Sequence, residues 1–199
     1  MKKKNRHFKK GFSLVEMLVS TALFSVVMII AVGIIIPILS VNKHTRATSI
    51  AMANVDAVLE KIFREASVGS YYHCAKSGKE KKIEEVHDCP GGNPLTAFVF
   101  EGVGGKETSS DDQIIYRLNS TDSSIEMSRD GGANYERLTD GNTIVDEFNV
   151  NVLGNVDDTK QPAVFIDMRG YIKTGENSKT TFALQTMISE RFNPATLRP

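Results

Sequence analysis

The fold of this chain is decided by the stretch Lys9-Lys10-Gly11-Phe12-Ser13-Leu14-Val15-Glu16 and by the apolar run that follows it to about Val41. Six basic residues and no acidic residue precede Gly11, and Glu16 is the single charged residue from Phe12 to Asn42. A run this long and this apolar predicts a helix that crosses a bilayer. The basic flank predicts that its N-terminus stays on the cytoplasmic side.

The position of Glu16 inside the apolar run is unusual. A carboxylate in a membrane span costs roughly 2.5–3.5 kcal/mol on insertion scales, so such a group normally has a partner and a role. No lysine or arginine lies one helical turn away within the run. A cut between Gly11 and Phe12 would create an α-amino group one turn from Glu16, with an unperturbed pKa near 8. That cationic amine could neutralise the carboxylate in the same copy or in a neighbouring one.

Gly11-Phe12-Ser13-Leu14-Val15-Glu16 behind a Lys-rich leader resembles the processing site of the type IV prepilins. The resemblance implies that prepilin peptidase cuts after Gly11 and methylates Phe12. It also implies that Glu16 is the carboxylate used in filament assembly. The implied partners are this peptidase and methyltransferase, other pilin or pseudopilin subunits, the inner-membrane assembly platform and the membrane.

Two other interpretations of the N-terminus remain open. The run could be an uncleaved anchor in which Glu16 reaches the headgroups. It could also be a secretory signal peptide, although such peptides have a shorter apolar core and a downstream cleavage site of small residues.

Gly33 and Pro37 interrupt the apolar helix. Proline removes one intrahelical hydrogen bond and clashes with the preceding turn, so we expect a helix break or kink near residues 33–37. Pilin helices commonly carry breakers in this region, and a simple kink of a membrane helix is the alternative interpretation.

The hydrophobic pattern beyond the anchor becomes one-sided. Apolar residues recur at helical spacing between charged and polar ones, which predicts an amphipathic helix that lays one face on a globular core. Gly69 fits its C-terminal end. The apolar positions are Val55, Val58, Leu59, Ile62, Phe63 and Ala66.

Residues 70–94 are polar and end in a Pro/Gly cluster, which predicts an irregular loop. After Leu95 the periodicity becomes two, which is typical of strands with one buried face. Arg129-Asp130-Gly131-Gly132 predicts a hairpin turn. The predicted strands are Thr96–Glu101, Gln113–Asn119, Ser124–Arg129, Asn134–Leu138, Val145–Leu153, Ala163–Arg169 and Thr180–Ser189.

A long helix followed by antiparallel strands predicts an α+β protein whose sheet packs on the helix, which is also the pilin fold. Short matches in the C-terminal half resemble the larger, PilW-like minor pilins and the J-type pseudopilins: Phe98–Gly102, Ile115–Leu118, Met127–Gly131 and Glu190-Arg191. The predicted segments are a leader at 1–11, a transmembrane or filament-core helix at 12–42, an amphipathic helix at 43–69, a cysteine-containing loop at 70–94, a β domain at 95–192 and a tail at 193–199.

The two cysteines, Cys74 and Cys89, lie in the part that the orientation rule sends out of the cytoplasm, where thiols tend to pair. A disulfide closing this loop of about 15 residues would stabilise the fold by roughly 3 kcal/mol. One alternative is a pair of free cysteines. The other is a metal site that also uses His73 and His87, but adjacent His-Cys differs from the spacing of structural zinc sites.

No pattern in the sequence predicts an enzyme or a cofactor. Asp111-Asp112 and Asp157-Asp158 could contribute to a calcium site, although no EF-hand-like spacing supports one. The histidines (His7, His44, His73 and His87) stand in no local motif with a nucleophile.

Removing residues 1–11 leaves 18 basic against 24 acidic residues, so the mature chain is mildly acidic and nucleic acid is not indicated. The resemblance to the prepilins implies a minor pilin or pseudopilin of a pilus, type II secretion or competence machine. Its expected location is the cytoplasmic membrane, as a single-pass protein with the N-terminus inside, and then the filament. The alternative is a membrane-tethered extracytoplasmic ligand-binding module that does not polymerise.

Overall fold

The computed structural model describes residues 11–76, 88–89, 95–106, 109–154, 161–174 and 178–190, without the side chains at 36, 40, 43 and 44. One long helix, α1 (Leu14–Ala66), precedes eight strands, so the α+β architecture with antiparallel sheets is confirmed. The strands are β1 (Ser70–Ala75), β2 (Ala97–Glu101), β3 (Ile114–Asn119), β4 (Ser124–Ser128), β5 (Glu136–Arg137), β6 (Thr143–Leu153), β7 (Ala163–Lys173) and β8 (Lys179–Ser189).

Several sequence predictions lie outside the described residues. They concern the basic leader with His7, the part of the predicted loop at 77–87 with His87, the side chain of His44, Asp157-Asp158, Arg191 and the tail 193–199.

The chain divides into two compact units, Met1–Thr45 and Arg46–Pro199. In the first unit, α1 exposes nearly all of its apolar side chains. Two hydroxyl groups bond back to helix carbonyls: Thr21 Oγ1 donates to Met17 O at 3.0 Å, and Ser25 Oγ donates to Thr21 O at 2.8 Å. These bonds satisfy polar groups that a lipid environment would leave unpaired.

The helix continues through Gly33 and Pro37 in the structure, with the proline inside α1. The expected break therefore does not end the helix. A kink here, or a loosening of this stretch on assembly, stays a prediction.

In the second unit the last part of α1 buries the stripe Ala51, Val55, Val58, Ile62 and Ala66. Leu59 packs beside this core and is partly buried. Phe63 departs from the predicted face, because 49% of its surface is exposed. The buried stripe is thus narrower than the sequence pattern indicated.

The strands form two sheets. Consecutive antiparallel neighbours β1-β2-β3-β4-β5 make a five-stranded sheet, and β6-β7-β8 make a three-stranded one. The seven predicted strands are all present, but β5 keeps only two of its five predicted residues and β7 continues from Arg169 to Lys173. The predicted turn at Arg129–Gly132 follows β4, and Gly131 and Gly132 have φ values of 62° and 88°.

The strand β1 corrects the prediction that residues 70–94 are loop throughout. It pairs with β2, and its register shifts between Ser70 and His73. Tyr71 lies there with a φ of 56°. This bulge breaks the alternation of side chains, so that three consecutive residues are buried and no period of two is visible in the sequence.

The end of α1 is fixed by close packing on β2. A Cβ atom on Gly69 would lie 2.5 Å from the Phe100 ring and 2.8 Å from the carbonyl oxygen of Glu101. The carbonyl oxygen of Ala66, at the end of the helix, accepts hydrogen bonds from Gly69 N at 2.9 Å and from the hydroxyl of Tyr72. Glycine is therefore needed here for close approach.

The strand β6 joins the two sheets through backbone hydrogen bonds. Val145 N donates to Ser123 O at 2.8 Å, and Val150 N donates to Leu95 O at 3.0 Å. Cys89 N donates to Val152 O at 2.8 Å. The apolar faces of both sheets and the buried stripe of α1 form one core.

Candidate functional site

The candidate site is the start of α1 with the three residues before it. The carbonyl of Ser13 accepts the first intrahelical bond, from Met17 N at 3.1 Å, so Ser13 is the N-cap residue. Glu16 lies in the first helical turn, where the helix dipole favours a negative charge by about 0.3–1 kcal/mol.

The spacing of Ser13 and Glu16 is also that of a capping box, in which each side chain bonds to the other residue's backbone N–H. Among the described residues, the side chains of Ser13 and Glu16 do not make the two hydrogen bonds of such a box. Glu16 also forms no ion pair with another described residue. Glu16 thus has two candidate roles, a start signal for the helix and a charge for assembly.

Phe12 and the residues after it expose their apolar side chains. Phe12 is 77% exposed, and the segment Leu14–Leu39 is long and apolar enough to cross a membrane, with none of it buried inside the structure. At 1.5 Å per residue its 26 residues span about 39 Å, more than the roughly 30 Å of a bilayer core. An exposed apolar surface of this size is typical of a segment that contacts lipid or other apolar helices.

Gly11 lies in open space. A Cβ atom built on it would meet no heavy atom within 4 Å, and the same holds for Gly33. The fold itself therefore does not require glycine at position 11. A requirement for glycine there would have to come from another molecule.

The two cysteines form a disulfide, with their Cα atoms 6.3 Å apart and both residues buried. Because Cys89 also pairs with Val152, the bond links β1 of one sheet to the β6 side of the other. The sulfurs are bonded to each other, so neither is present as the thiolate that a zinc site needs. The structure thus assigns these cysteines a role in holding the β domain together.

The acidic pair Asp111-Asp112 serves its own loop. Asp112 Oδ2 accepts a hydrogen bond from Lys106 N at 2.9 Å. Asp111 N donates to Ser109 Oγ at 3.3 Å. Over the described parts of the chain, no group of three or more His, Cys, Asp or Glu residues is placed to hold a metal ion.

Of the four histidines, His73 is the one whose side chain the structure describes. His73 is buried, with its Nδ1 3.0 Å from the carbonyl oxygen of Tyr71.

Sequence reasoning missed the polar contacts that attach α1 to the sheet. The hydroxyl of Tyr116 donates to Glu65 at 2.7 Å, and Arg129 also binds the carboxylate of Glu65. Burial first, and then this hydrogen bond, raise the pKa of Tyr116 far above its usual range. Closer to the start of the amphipathic half, Asn54 Oδ1 accepts from Asp140 N at 3.1 Å. The partners lie 51 to 86 positions apart, so no local pattern could reveal them.

Comparison with known proteins finds one match, at the N-terminus. Residues 6–32 match the family model described as the prokaryotic N-terminal methylation motif. No curated protein and no solved structure matches the chain. The match covers Gly11, Phe12 and Glu16, and it supports a membrane-anchored, type IV pilin-like protein that carries a prepilin processing signal in front of its β domain.

Proposed function

We propose that this chain is a structural minor pilin or pseudopilin subunit, cut by prepilin peptidase after Gly11, methylated on Phe12 and then built into a filament. The observation that carries the proposal is the methylation motif at residues 6–32, which overlaps the first part of the apolar helix Leu14–Leu39. The filament would be a type IV pilus or a pseudopilus of type II secretion or competence. A role at the tip or in priming is favoured by the bulky β domain that follows the helix.

The proposed assembly step pairs the positive α-amino group of Phe12 with the negative carboxylate of Glu16 in an apolar environment. Cleavage creates the Phe12 amine, which is mostly cationic at neutral pH. In the membrane the lone Glu16 carboxylate costs roughly 2.5–3.5 kcal/mol, whereas next to a cation that cost is offset. Bundling of helices that brings the amine of one copy to Glu16 of another is therefore favoured over dispersion in lipid.

The segments then take separate roles. Residues 1–11 would hold the precursor with its N-terminus inside until they are removed, and residues 12–42 would form the membrane span and later the filament core. Residues 43–69 and 95–192 would form the outward-facing domain. Gly33 and Pro37 are proposed to loosen the helix during assembly, because they weaken its hydrogen bonding there.

A structural role fits the domain better than catalysis. Polar side chains in it make contacts that serve the fold, such as the bond of Glu65 with Tyr116 and the bond of Asp112 with Lys106 N. The proposed partners are prepilin peptidase, other pilin-like subunits and the inner-membrane assembly platform.

The decisive experiment measures the mass and the N-terminal residue of the protein isolated from cells. We expect a chain that begins with N-methylated Phe12. A functional, dispersed protein that still begins at Met1 would overturn the proposal.

A second experiment separates the two roles of Glu16. Glu16→Gln keeps a side chain that can complete a capping box but removes the charge, whereas Glu16→Val removes both. We expect both variants to be cleaved and both to be lost from sheared filaments. A matched control is Asp56→Asn, which removes an exposed acid from the outer part of α1 and should leave incorporation unchanged. If Glu16→Gln enters filaments normally, charge pairing is wrong and the capping role is sufficient.

A membrane-tethered module that never polymerises would give a different result. It could still be processed, but the unmodified protein would be missing from sheared filaments and would stay in the membrane fraction.

A further inference from the structure

The strand β8 forms one long edge of the three-stranded sheet. In that sheet β8 pairs with β7 over eleven consecutive residues, from Lys179 to Ser189, without a register shift. Among the described strands it has no second neighbour. Sheet edges of this kind usually carry charges, proline, bulges or a covering segment, because their free backbone groups can pair with another chain.

In the described part of the chain, the charge of the β8 edge is confined to its first residue, Lys179, and the strand has no bulge. No charged residue and no proline occurs from Thr180 to Ser189, while Lys179 and Glu190 flank this uncharged stretch. The outward-facing residues of β8 are exposed along its whole length. They are Lys179, Thr181, Ala183, Gln185, Met187 and Ser189.

The other described edges are closed. The edge of β6 carries a register shift at Val145, and it is covered by the bonds to Ser123, Leu95 and Cys89. The strand β5 has only two residues, and both are charged. The edge of β1 is bulged and buried at its centre.

The sequence of β8 is complementary to itself in the antiparallel direction. When two copies are paired about Leu184, all eleven residues overlap, and outward residues face outward residues. Lys179 of one copy then lies opposite Ser189 of the other, and no like charges face each other along the paired stretch.

The partial burial of Leu184 is a second observation in favour of a strand next to β8. It points toward the core between the buried residues Phe182 and Ile188, yet it is only partly buried itself. In the paired arrangement Leu184 of one copy meets Leu184 of the other across the two-fold axis. Thr181 of one copy lies beside Met187 of the other, whose side chain is 56% exposed in the single chain.

We propose that β8 is a self-association edge, at which a second copy of this chain adds its own β8 in antiparallel orientation about Leu184. The contact extends the three-stranded sheet into a six-stranded one. It is closed by its two-fold symmetry and so cannot repeat along a filament. It therefore joins copies in different filaments or copies that have not assembled, and it does not depend on the processing proposed above.

Site-specific cross-linking of the full-length protein in detergent tests the register. Thr181→Cys protein and Met187→Cys protein, carrying tags of different size, are mixed and oxidised. We expect a cross-linked species that contains both tags, because positions 181 and 187 lie opposite each other. The controls are the two same-site mixtures, in which the cysteines would be six residues out of register and should stay at background.

Charge substitution tests whether the edge drives the association. Ala183→Lys combined with Gln185→Lys brings two like-charge pairs together across the axis, and we expect the dissociation constant to rise about tenfold in sedimentation experiments. The matched control is Asn149→Lys combined with Asn151→Lys, on the same sheet but on β6, which should leave association unchanged.

Three results would overturn the proposal: equal cross-linking in the same-site mixtures, association that is insensitive to the lysines at 183 and 185, or cross-linking that needs removal of residues 191–199. The last result would mean that the chain covers the edge itself. None of these variants touches Gly11, Phe12 or Glu16, so the mass of the mature N-terminus tests the proposed function separately.

Discussion

The apolar half of α1 and the β domain differ in how their sequences encode what they do. The segment Leu14–Leu39 exposes its apolar side chains, and its information lies in consecutive residues: a basic leader, a glycine, an aromatic residue and one acid. The β domain buries its apolar side chains, and its key contacts join residues far apart in the chain. The first region is proposed to be recognised by other molecules, whereas the structure of the second is determined by its own packing.

This difference predicts that changes in one region leave the other unaffected. A substitution before α1 should alter processing without altering the stability of the β domain. A substitution in the domain core should do the reverse.

The largest expected effect is that of Gly11→Val. The residue lies in open space, so the fold should accept the larger side chain, but the peptidase proposed to cut there should not. We expect complete loss of the mature form, seen as a protein that keeps its leader by mass spectrometry. Gly33→Ala is the matched control, since Gly33 is equally open and lies inside the helix. If Gly11→Val is still cut at the same bond, the motif does not serve as a processing site here.

The next effect tests the domain side of the comparison. Replacing both Cys74 and Cys89 by alanine removes a bond that closes a 15-residue separation, and we expect the free energy of unfolding to fall by about 3 kcal/mol. Thermal unfolding with and without a reductant measures this. The reductant should destabilise the unmodified protein and leave the double variant unchanged. Processing of the N-terminus should not change, and a loss of processing would break the separation between the two regions.

Much of the architecture could be predicted from sequence because its signals are local. An apolar run predicts α1, and alternation with turn residues predicts β2 to β8. The strand β1 could not be predicted, because the bulge at Tyr71 destroys the alternation. The outward position of Phe63 and the contacts of Glu65 depend on the neighbours that the folded chain supplies.

For the candidate site, the sequence is more informative than the structure. Gly11, Phe12 and Glu16 are near neighbours in sequence, so the pattern alone identifies them, and the fold adds little around them. The structure contributes one thing that the pattern does not show, which is that Ser13 and Glu16 also stand at a helix start.

A smaller effect is expected from Gly170→Ala in β7. A Cβ atom there would lie 2.1 Å from the carbonyl oxygen of Ile144 and 3.0 Å from the ring of Phe182, so the backbone of β6 would have to move. We expect a loss of about 1–3 kcal/mol in the free energy of unfolding. Gly141→Ala is the control, because its site is open, and it should change stability by no more than about 0.5 kcal/mol. Equal unfolding temperatures for the two variants would show that the backbone of β6 can move away from the added methyl group at little cost in stability.

The smallest effect concerns the turn after β4. Asp130 accepts hydrogen bonds from the hydroxyl of Ser128 and from the backbone and side-chain nitrogens of Asn134, and these bonds lower its pKa to about 2. Because the folded-state pKa lies below the ordinary value of 3.8, the carboxylate contributes stability above that pH, and the contribution is lost as the pH falls toward 2.

Asp130→Asn should therefore flatten the decline of the unfolding temperature between pH 4 and pH 2, while the curves run parallel at higher pH. The control is Asp56→Asn, which lies on the exposed side of α1 and should retain the decline of the unmodified protein. An unchanged slope in Asp130→Asn would mean that the bonds around this turn are not maintained in solution. Even this effect belongs to the β domain alone, since Asp130 is far in sequence from the proposed processing site at Gly11 and Phe12.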